Sequence, residues 1–448
     1  MKVLKFGGAA LDNAASMQNI AKLVRREGPC VVVASAMSGV TDLLASHTKT
    51  VPSEEEATSL LHQIKTRHER VAAELGLDPT ILDGLMQRFE RTLYGLAYTE
   101  RMTPRLQDLV RSFGERFSVQ LLAATLTKEG HPATALEAEQ VPISSLGPFG
   151  HARPDLPRLR AEAGPGLIRM VQNGSTPVVT GFYGVDADGH PTLFGRGGSD
   201  YVAALIGYAV QAERVELWKD VPGFMTADPR LVSSANLVSK LGYTEAAELA
   251  HFGAGILHPR AVEPLEDVGI PLHIRSFLDP DGSGTWVEGT QEASGNMVRS
   301  VASKQHLAIL RLKGPGMAYT PGVAKRVFNA LADAHINVLN MSTSQATFAL
   351  LIANEDVPQA KAALQPLLGG VMQELEVLSG RALVCVVGQG LGETPGSAAK
   401  ILQTVAECGV NVEMISLGAS DLAIDFIVNA ADRDKAMRAI HSTFLEAP

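Results

Sequence analysis

The sequence predicts an α/β protein, with a mainly parallel sheet layered between helices, followed by two small ferredoxin-like α+β modules. Three observations carry this. Short apolar runs rich in β-branched residues alternate with helical stretches as far as Ile274, the pattern of strands buried in a parallel sheet. A nearly continuous helical stretch interrupts that alternation over residues 53–129. Beyond residue 300 the chain repeats itself: Pro321-Gly322 and Asn337-Val338 recur as Pro395-Gly396 and Asn411-Val412, at an offset of 74 (396 − 322 and 411 − 337).

In chain order, Val3-Leu4-Lys5-Phe6 reads as the first strand, and Gly7-Gly8 turns it towards a helix from Ala14 to Arg26. Pro29 introduces a second strand, Cys30 to Ser35. The helical stretch breaks near Gly76 to Pro79 and at Pro104, and reads as a layer roofing a substrate site. Strands resume at Ala133 to Leu136, Thr176 to Phe182 and Arg214 to Trp218. Pro271 to Ile274 closes the layer before the turn-rich Asp279 to Gly284. The first domain is therefore placed at 1–285, a linker and strand at 286–305, and the two modules at 306–375 and 376–448. Each module reads as a strand, a helix opened by Pro-Gly, a strand from Asn337 or Asn411, an alternating strand and a second helix.

A chain of 448 residues is long enough for two or three domains. Its net charge of −9 argues against a nucleic-acid partner, and the lack of a strongly basic run argues against a membrane surface. The cysteines, Cys30, Cys385 and Cys408, are odd in number and widely spaced, which suits buried thiols in a reducing compartment. No apolar signal core or bilayer-length apolar run is present, so a cytoplasmic protein is expected.

Several stretches carry chemistry. Gly195-Arg196-Gly197-Gly198-Ser199-Asp200 precedes an apolar helical run, with Ser199 and Asp200 where N-caps belong. Free amides and Arg196 suit a carboxylate or phosphate, although an arginine in a glycine-rich turn is also commonly a solvated cation. Lys5 beside Gly7 and Gly8 could hold a transferred phosphoryl group or be a surface lysine at a turn. Ser35 to Asp42 follows a buried strand and offers hydroxyls for a helix cap or a substrate. Gly114 lies inside a helical run, where glycine needs a reason such as close approach of a ligand or another backbone, and Glu115 could meet an ammonium or solvent. Trp218 to Arg230 suits a nucleotide and its magnesium, or is a charged turn. Gly388-Gln389-Gly390-Leu391-Gly392 mimics a dinucleotide fingerprint, but too little chain follows it for such a domain. His251 and His258 lack metal-site spacing, so no bound metal site is expected from protein ligands.

Taken in order, Lys5-Phe6-Gly7-Gly8, Ser35 to Asp42, Gly114-Glu115, Gly181-Phe182, Gly195 to Asp200, Trp218 to Arg230 and Phe252 to Pro259 resemble the aspartokinases of the amino-acid kinase family. The repeat resembles tandem ACT regulatory modules. The resemblance implies a three-layer kinase fold and transfer of the ATP γ-phosphoryl group, with Mg2+, to the β-carboxylate of L-aspartate. It implies Lys5 and Asp200 at the phosphoryl group and Gly7 and Gly8 amides beside it. Arg196 would take the substrate carboxylate, Glu115 its ammonium, and Ser35, Thr41, Phe182 and Ser199 would line the pocket. Lys219, Asp220, Met225, Asp228, Arg230 and Gly255 match nucleotide positions. Met317, Gly322, Val323, Asn337, Val338, Thr343 and Gln345 match an effector site. A homodimer or higher oligomer, no fused dehydrogenase, and the short strand near Val298 to Val301 completing the second module are further implications.

Departures from the family pattern are Ala9 and Ala10 in place of hydroxyl residues, and Gly255 where many members have a lysine, which leaves Lys219 to supply that charge. Leu339 and Gln345 stand where lysine-sensitive members carry carboxylates, so lysine alone is expected to inhibit weakly. Alternative readings are a kinase of glutamate or its acetyl derivative, or a non-catalytic amino-acid sensor.

Overall fold

The computed structural model describes residues 1–289 and 297–446. Two compact units divide the chain: Met1–Phe224, Ser239–Ala247 and Ile256–Thr290 form the first, and Met225–Val238, Glu248–Gly255 and Gln291–Pro448 the second. The single boundary at 285 suggested by the sequence is thus replaced by an interleaved one. No helix among the described residues is long and apolar enough to cross a membrane.

The first unit is built on eight strands: β1 (Lys2–Phe6), β2 (Cys30–Ala34), β3 (Ala133–Leu136), β4 (Thr176–Thr180), β5 (Val215–Lys219), β6 (Lys240–Leu241), β7 (Leu272–Ser276) and β8 (Thr285–Val287). Their order is β6-β8-β7-β5-β1-β2-β4-β3. All neighbours are parallel except β7 and β8. The sheet therefore continues past the Asp279–Gly284 turn, and β7, expected to close it, lies third from the β6 edge.

The central strands are apolar throughout because both faces are covered. Leu4 and Phe6 of β1 pack into a core shared with the helices Ala14–Glu27, Glu54–Glu74, Asp83–Thr99 and Pro104–Lys128. The helix Gly198–Val210 also packs on β1, completing three layers. Local chemistry sets the boundaries of the helical layer: Ser53 and Glu56 form a reciprocal capping box, and Thr103 caps a helix that begins with Pro104. Gly114 has a packing reason, since a Cβ there would lie 2.7 Å from Ala36 Cβ.

The second unit is one six-stranded antiparallel sheet made of β9 (Ser300–Lys313), β10 (Asn340–Thr343), β11 (Thr347–Ala353), β12 (Glu374–Val387), β13 (Met414–Ser416) and β14 (Ala423–Asn429). The order is β10-β11-β9-β12-β14-β13. The two long strands are shared. Leu307–Lys313 of β9 pairs with β11, whereas Ser300–Lys304 pairs with Leu383–Val387 of β12, whose end also pairs with β14. Each strand crosses between modules at a left-handed residue, His306 (φ 57°) in β9 and Gly380 (φ 71°) in β12, themselves 74 apart (380 − 306).

The repeat extends to backbone crowding. A Cβ on Gly314 would run into the Val371 carbonyl oxygen, and one on Gly388 into that of Met297, each member again 74 from its counterpart (388 − 314 and 371 − 297). Strands β11 and β14, expected to alternate, are buried on both faces. One face takes the module helices, and the segment Ala250–Ala254 packs against β9 and β12. Replacing Gly314 by Ala is expected to destabilise the protein by about 1–3 kcal/mol through overpacking. Gly370→Ala, where a Cβ meets nothing within 4 Å, serves as the control. Equal urea midpoints for the two variants would show that the crossing tolerates a side chain.

Candidate functional site

Parallel packing brings the carboxyl ends of β1, β2, β4 and β5 to one edge, where open α/β sheets bind ligands. The ends are stitched together: Ser35 N donates to Phe6 O at 3.1 Å, and Gly181 N to Ala34 O at 2.9 Å. In register, Lys5 lies opposite Leu217, so Lys219, two residues further along β5, projects on the same face. The helix Gly198–Val210 starts above them and places Asp200 in its first turn.

The centre is a three-charge cluster. Lys5 Nζ lies 2.6 Å from Asp200 Oδ1, and Lys219 Nζ lies 2.7 Å from Asp200 Oδ2. Lys5 and Asp200 are each 5% exposed. Burial pushes the Asp200 carboxyl up, but the Lys219 and Lys5 ammoniums outweigh it and hold the group below the usual carboxylate range. Burial lowers the Lys5 pKa, with Asp200 opposing that shift. Two cations and one anion leave one positive charge beside the Gly7-Gly8 turn. A Cβ on Gly7 would sit 3.6 Å from Lys5 Nζ, and one on Gly8 2.9 Å from Ala36 O, so the second glycine is required where the Ala36 backbone passes.

Beside this cluster Glu115 is buried. Its Oε1 accepts from Ala36 N at 3.1 Å, and Oε2 has no partner among the described residues. Burial foremost raises its pKa to about 8, with the Ala36 amide and Lys5 opposing. Such a group is mostly protonated at neutral pH, and a cation brought beside it would favour its ionised form. Arg196 is exposed and makes no ion pair among the described residues. Phe182 is buried with φ 71°, a left-handed conformation costing of order 1–3 kcal/mol in a side-chain-bearing residue, found where a site over-determines the backbone.

Ser35 and Thr41 are half-buried near the ends of β2 and the first turn of Val40–Ser46, and Ser199 is buried against Gly181. The expected caps are corrected. Neither Ser199 nor Asp200 caps its helix, because Gly197 (φ 79°) precedes the helix and moves them to its second and third positions. Gly39 (φ 73°) likewise opens Val40–Ser46 in place of a hydroxyl.

The nucleotide candidates separate. Lys219 belongs to the charge cluster and Asp220 is exposed beside it, whereas Met225, Asp228, Arg230 and Gly255 fall in the second unit. There Asp228 Oδ2 pairs with Arg230 Nη2 at 2.7 Å, and Gly255 has φ 63°, which a lysine would adopt only with strain. Ala10 is packed in the core, so its missing hydroxyl is replaced by apolar contact. Of the effector candidates, Met317 and Val323 are core residues of the first module, Val338 is half-buried, Gly322 precedes the helix Val323–Asp333, and Asn337, Thr343 and Gln345 are exposed. Asp186, Asp188 and His190 bring potential ligand atoms together, but Asp186 there accepts the backbone amides of the other two as a turn.

Sequence reasoning did not single out the Ala36 amide, and it weighed His258 only as a metal ligand. The His258 ring stacks on Tyr201 at 5.8 Å and abuts Gly197, and its Nδ1 is buried without a hydrogen-bond partner among the described residues. Only the position of His258 directly before Pro259 hinted at a fixed turn.

The amino acid kinase family model matches residues 1–276, and an ACT domain model matches 310–366 and 384–444. Aspartokinase 3, chloroplastic, from Arabidopsis thaliana is 32% identical over 99% of this chain and 81% of its own length. The structure of E. coli aspartokinase III in complex with aspartate and ADP superposes with a TM-score of 0.86 at 29% identity, covering 100% of both chains. The same enzyme in complex with lysine and aspartate gives 0.83 at 29% identity, covering 99% of each.

Asp200→Asn leaves the buried Lys5 and the half-buried Lys219 ammoniums without their counterion and is expected to cost about 3–5 kcal/mol of stability at neutral pH. Because the folded-state pKa is depressed, the contribution is present above about pH 4 and is lost as pH falls through the folded value. The gap between wild type and variant must therefore narrow in acid. A gap that is constant with pH in denaturant melts would remove the carboxylate from this role.

Proposed function

The chain belongs to the aspartokinases of the amino acid kinase family and phosphorylates the side-chain carboxylate of L-aspartate with ATP, and from that premise we propose how its residues divide the work. The buried Lys5–Asp200–Lys219 cluster carries the reading. Its surplus positive charge lies at the strand ends, where a γ-phosphoryl group would gain negative charge on transfer. The aspartate β-carboxylate is already ionised at neutral pH, so no general base is needed. One of its oxygens attacks the γ-phosphorus, the bond to the ADP oxygen breaks, and 4-phospho-L-aspartate leaves without a proton transfer.

Lys5 neutralises the transferring group beside the Gly7 and Gly8 amides, and Asp200 fixes Lys5 and Lys219. Lys219, with Asp220 next to it, supplies a cation for the nucleotide phosphates. Arg196 and Ser199 take the substrate α-carboxylate, Glu115 takes the ammonium through its open Oε2, and Ser35, Thr41 and Phe182 form the walls. Each Asp200 oxygen faces one lysine. Magnesium would enter as MgATP, held by the phosphates.

The second unit is the regulatory part, with the modules at 306–375 and 376–448. Lysine is bound in the second E. coli structure. Here Leu339 and Gln345 would offer it no carboxylate, which supports weak inhibition by lysine alone. Exposed Met341, Ile415 and Leu417, on or beside the edge strands, support pairing between copies. Three free cysteines support a reducing compartment, read as the cytoplasm.

Trapping the acyl phosphate with hydroxylamine tests all of this. Aspartate is expected to give product and glutamate little, and Lys5→Ala to lose about 100-fold or more in kcat while remaining folded. Since Glu115 must be ionised to hold an ammonium, KM for aspartate should fall as pH rises through about 8, and Glu115→Gln should raise KM and flatten that dependence. Full activity of Lys5→Ala, a pH-independent KM in wild type, or tight inhibition by lysine alone would each overturn the corresponding role.

A further inference from the structure

The six-stranded sheet of the second unit curls until its sides meet. Asn340 on the edge strand β10 donates through Nδ2 to Asp425 Oδ2 on β14 at 2.7 Å. In a flat sheet those strands, four steps apart, would be separated by about 19 Å. The curl forms a cleft of 480 Å³ within the second unit, open to solvent on one side and of a size typical of small-molecule pockets. Its polar lining is Glu248, His251, Asp425, Asn340, Ser416 and Ser420.

Asp425 is the unusual member. It interrupts the apolar strand Ala423-Ile424-Asp425-Phe426-Ile427-Val428, facing away from the core that holds Ile424 and Phe426. It is 6% exposed, yet no cation pairs with it among the described residues, and Oδ1 accepts no side-chain hydrogen bond there. Glu248 also makes no ion pair among the described residues. Burial foremost, with Glu248 adding, raises the Asp425 carboxyl to about 6, which leaves it ionised at neutral pH. A buried carboxylate without a countercharge is costly, and a cationic ligand would remove that cost.

We propose that this cavity binds an aliphatic primary amine that carries no carboxylate, its ammonium on Asp425 with Glu248 as the second charge and its methylenes against Phe252 and Met341. The exclusion of a carboxylate follows from the lining, which contains no lysine or arginine. Its one imidazole, His251, is shifted by burial towards the neutral form. Of the positions in the effector reading above, only Leu339 also lines this cavity, and a free amino acid would bring an anion with nothing to meet it.

Titration calorimetry of the full chain with 1,5-diaminopentane tests this, with L-lysine, the same amine bearing a carboxylate, as comparator. One diamine is expected to bind per chain. Asp425→Asn and Glu248→Gln should each weaken it by at least about tenfold, the loss of a charge-assisted hydrogen bond. Any lysine binding should be unchanged in both variants. Should Asp425→Asn fail to fold, Glu248→Gln, at the half-buried wall, carries the test. Absence of diamine binding at millimolar concentration, affinity unaltered by the variants that fold, or lysine competing at equal affinity would overturn the assignment.

Discussion

The first unit depends on one carboxylate held between two ammoniums. Taking three charges out of water costs several kcal/mol per ion, and Asp200 can offset only one of the two lysines. The folded protein therefore carries an uncompensated positive charge at the sheet edge. That charge is tolerable because the glycine turn leaves the edge open, and it becomes favourable when an anion arrives. Stability given up in the empty protein reappears as affinity for phosphate, so local instability and substrate binding share one cause. Much of the surrounding geometry serves this cluster: parallel register puts Lys5 and Lys219 on one face, and Gly197 lets the next helix begin close enough for Asp200 to reach both.

The second unit follows a different constraint. Neither module owns four strands outright, because β9 and β12 each serve the first module along one stretch and the second along another. A perturbation of either long strand is felt in both. The shared strands also explain why the 74-residue periodicity reaches glycines and carbonyls that no hydrophobic pattern would reveal. The chain enters each half by the same tight crossing, and only glycine leaves room for it.

Much of this was legible from sequence. The strands at Val3, Cys30 and Thr176, the three helices between 54 and 128, and both module repeats follow from local periodicity and Pro or Gly punctuation, which survive in one dimension. The misses share a physical reason. Gly114 was read as the close approach of a ligand or another backbone, and what approaches it is Ala36, a residue 78 positions away (114 − 36) that the sequence does not identify. The short strand Lys240–Leu241 has too few residues for any period, and its strand character comes from its partner Thr285–Val287. Met225–Val238 and Glu248–Gly255 belong to the second unit because of what they bury, which no boundary signal in the chain records. Asp425 was the one readable clue passed over: an aspartate in the middle of an apolar strand needs a reason of its own.

Helix starts show how the chain keeps such sites open. Val40–Ser46, Gly198–Val210, Val323–Asp333 and Ser397–Glu407 each follow a left-handed glycine, with φ between 73° and 87°, and none has a side-chain cap. A serine or aspartate cap would satisfy a first-turn amide, and replacing one by glycine costs only a few tenths of a kcal/mol, against about 1 for alanine. Glycine is thus the least costly residue that leaves those amides to a ligand, and it alone takes the required φ without strain. At Gly197 the Gly198 and Asp200 amides go to the Gly195 and Gly197 carbonyls, and the Ser199 amide, with the helix dipole, adds partial positive charge where the anion binds. A side-chain cap there would gain little stability and would place its oxygen over the amides that the substrate needs.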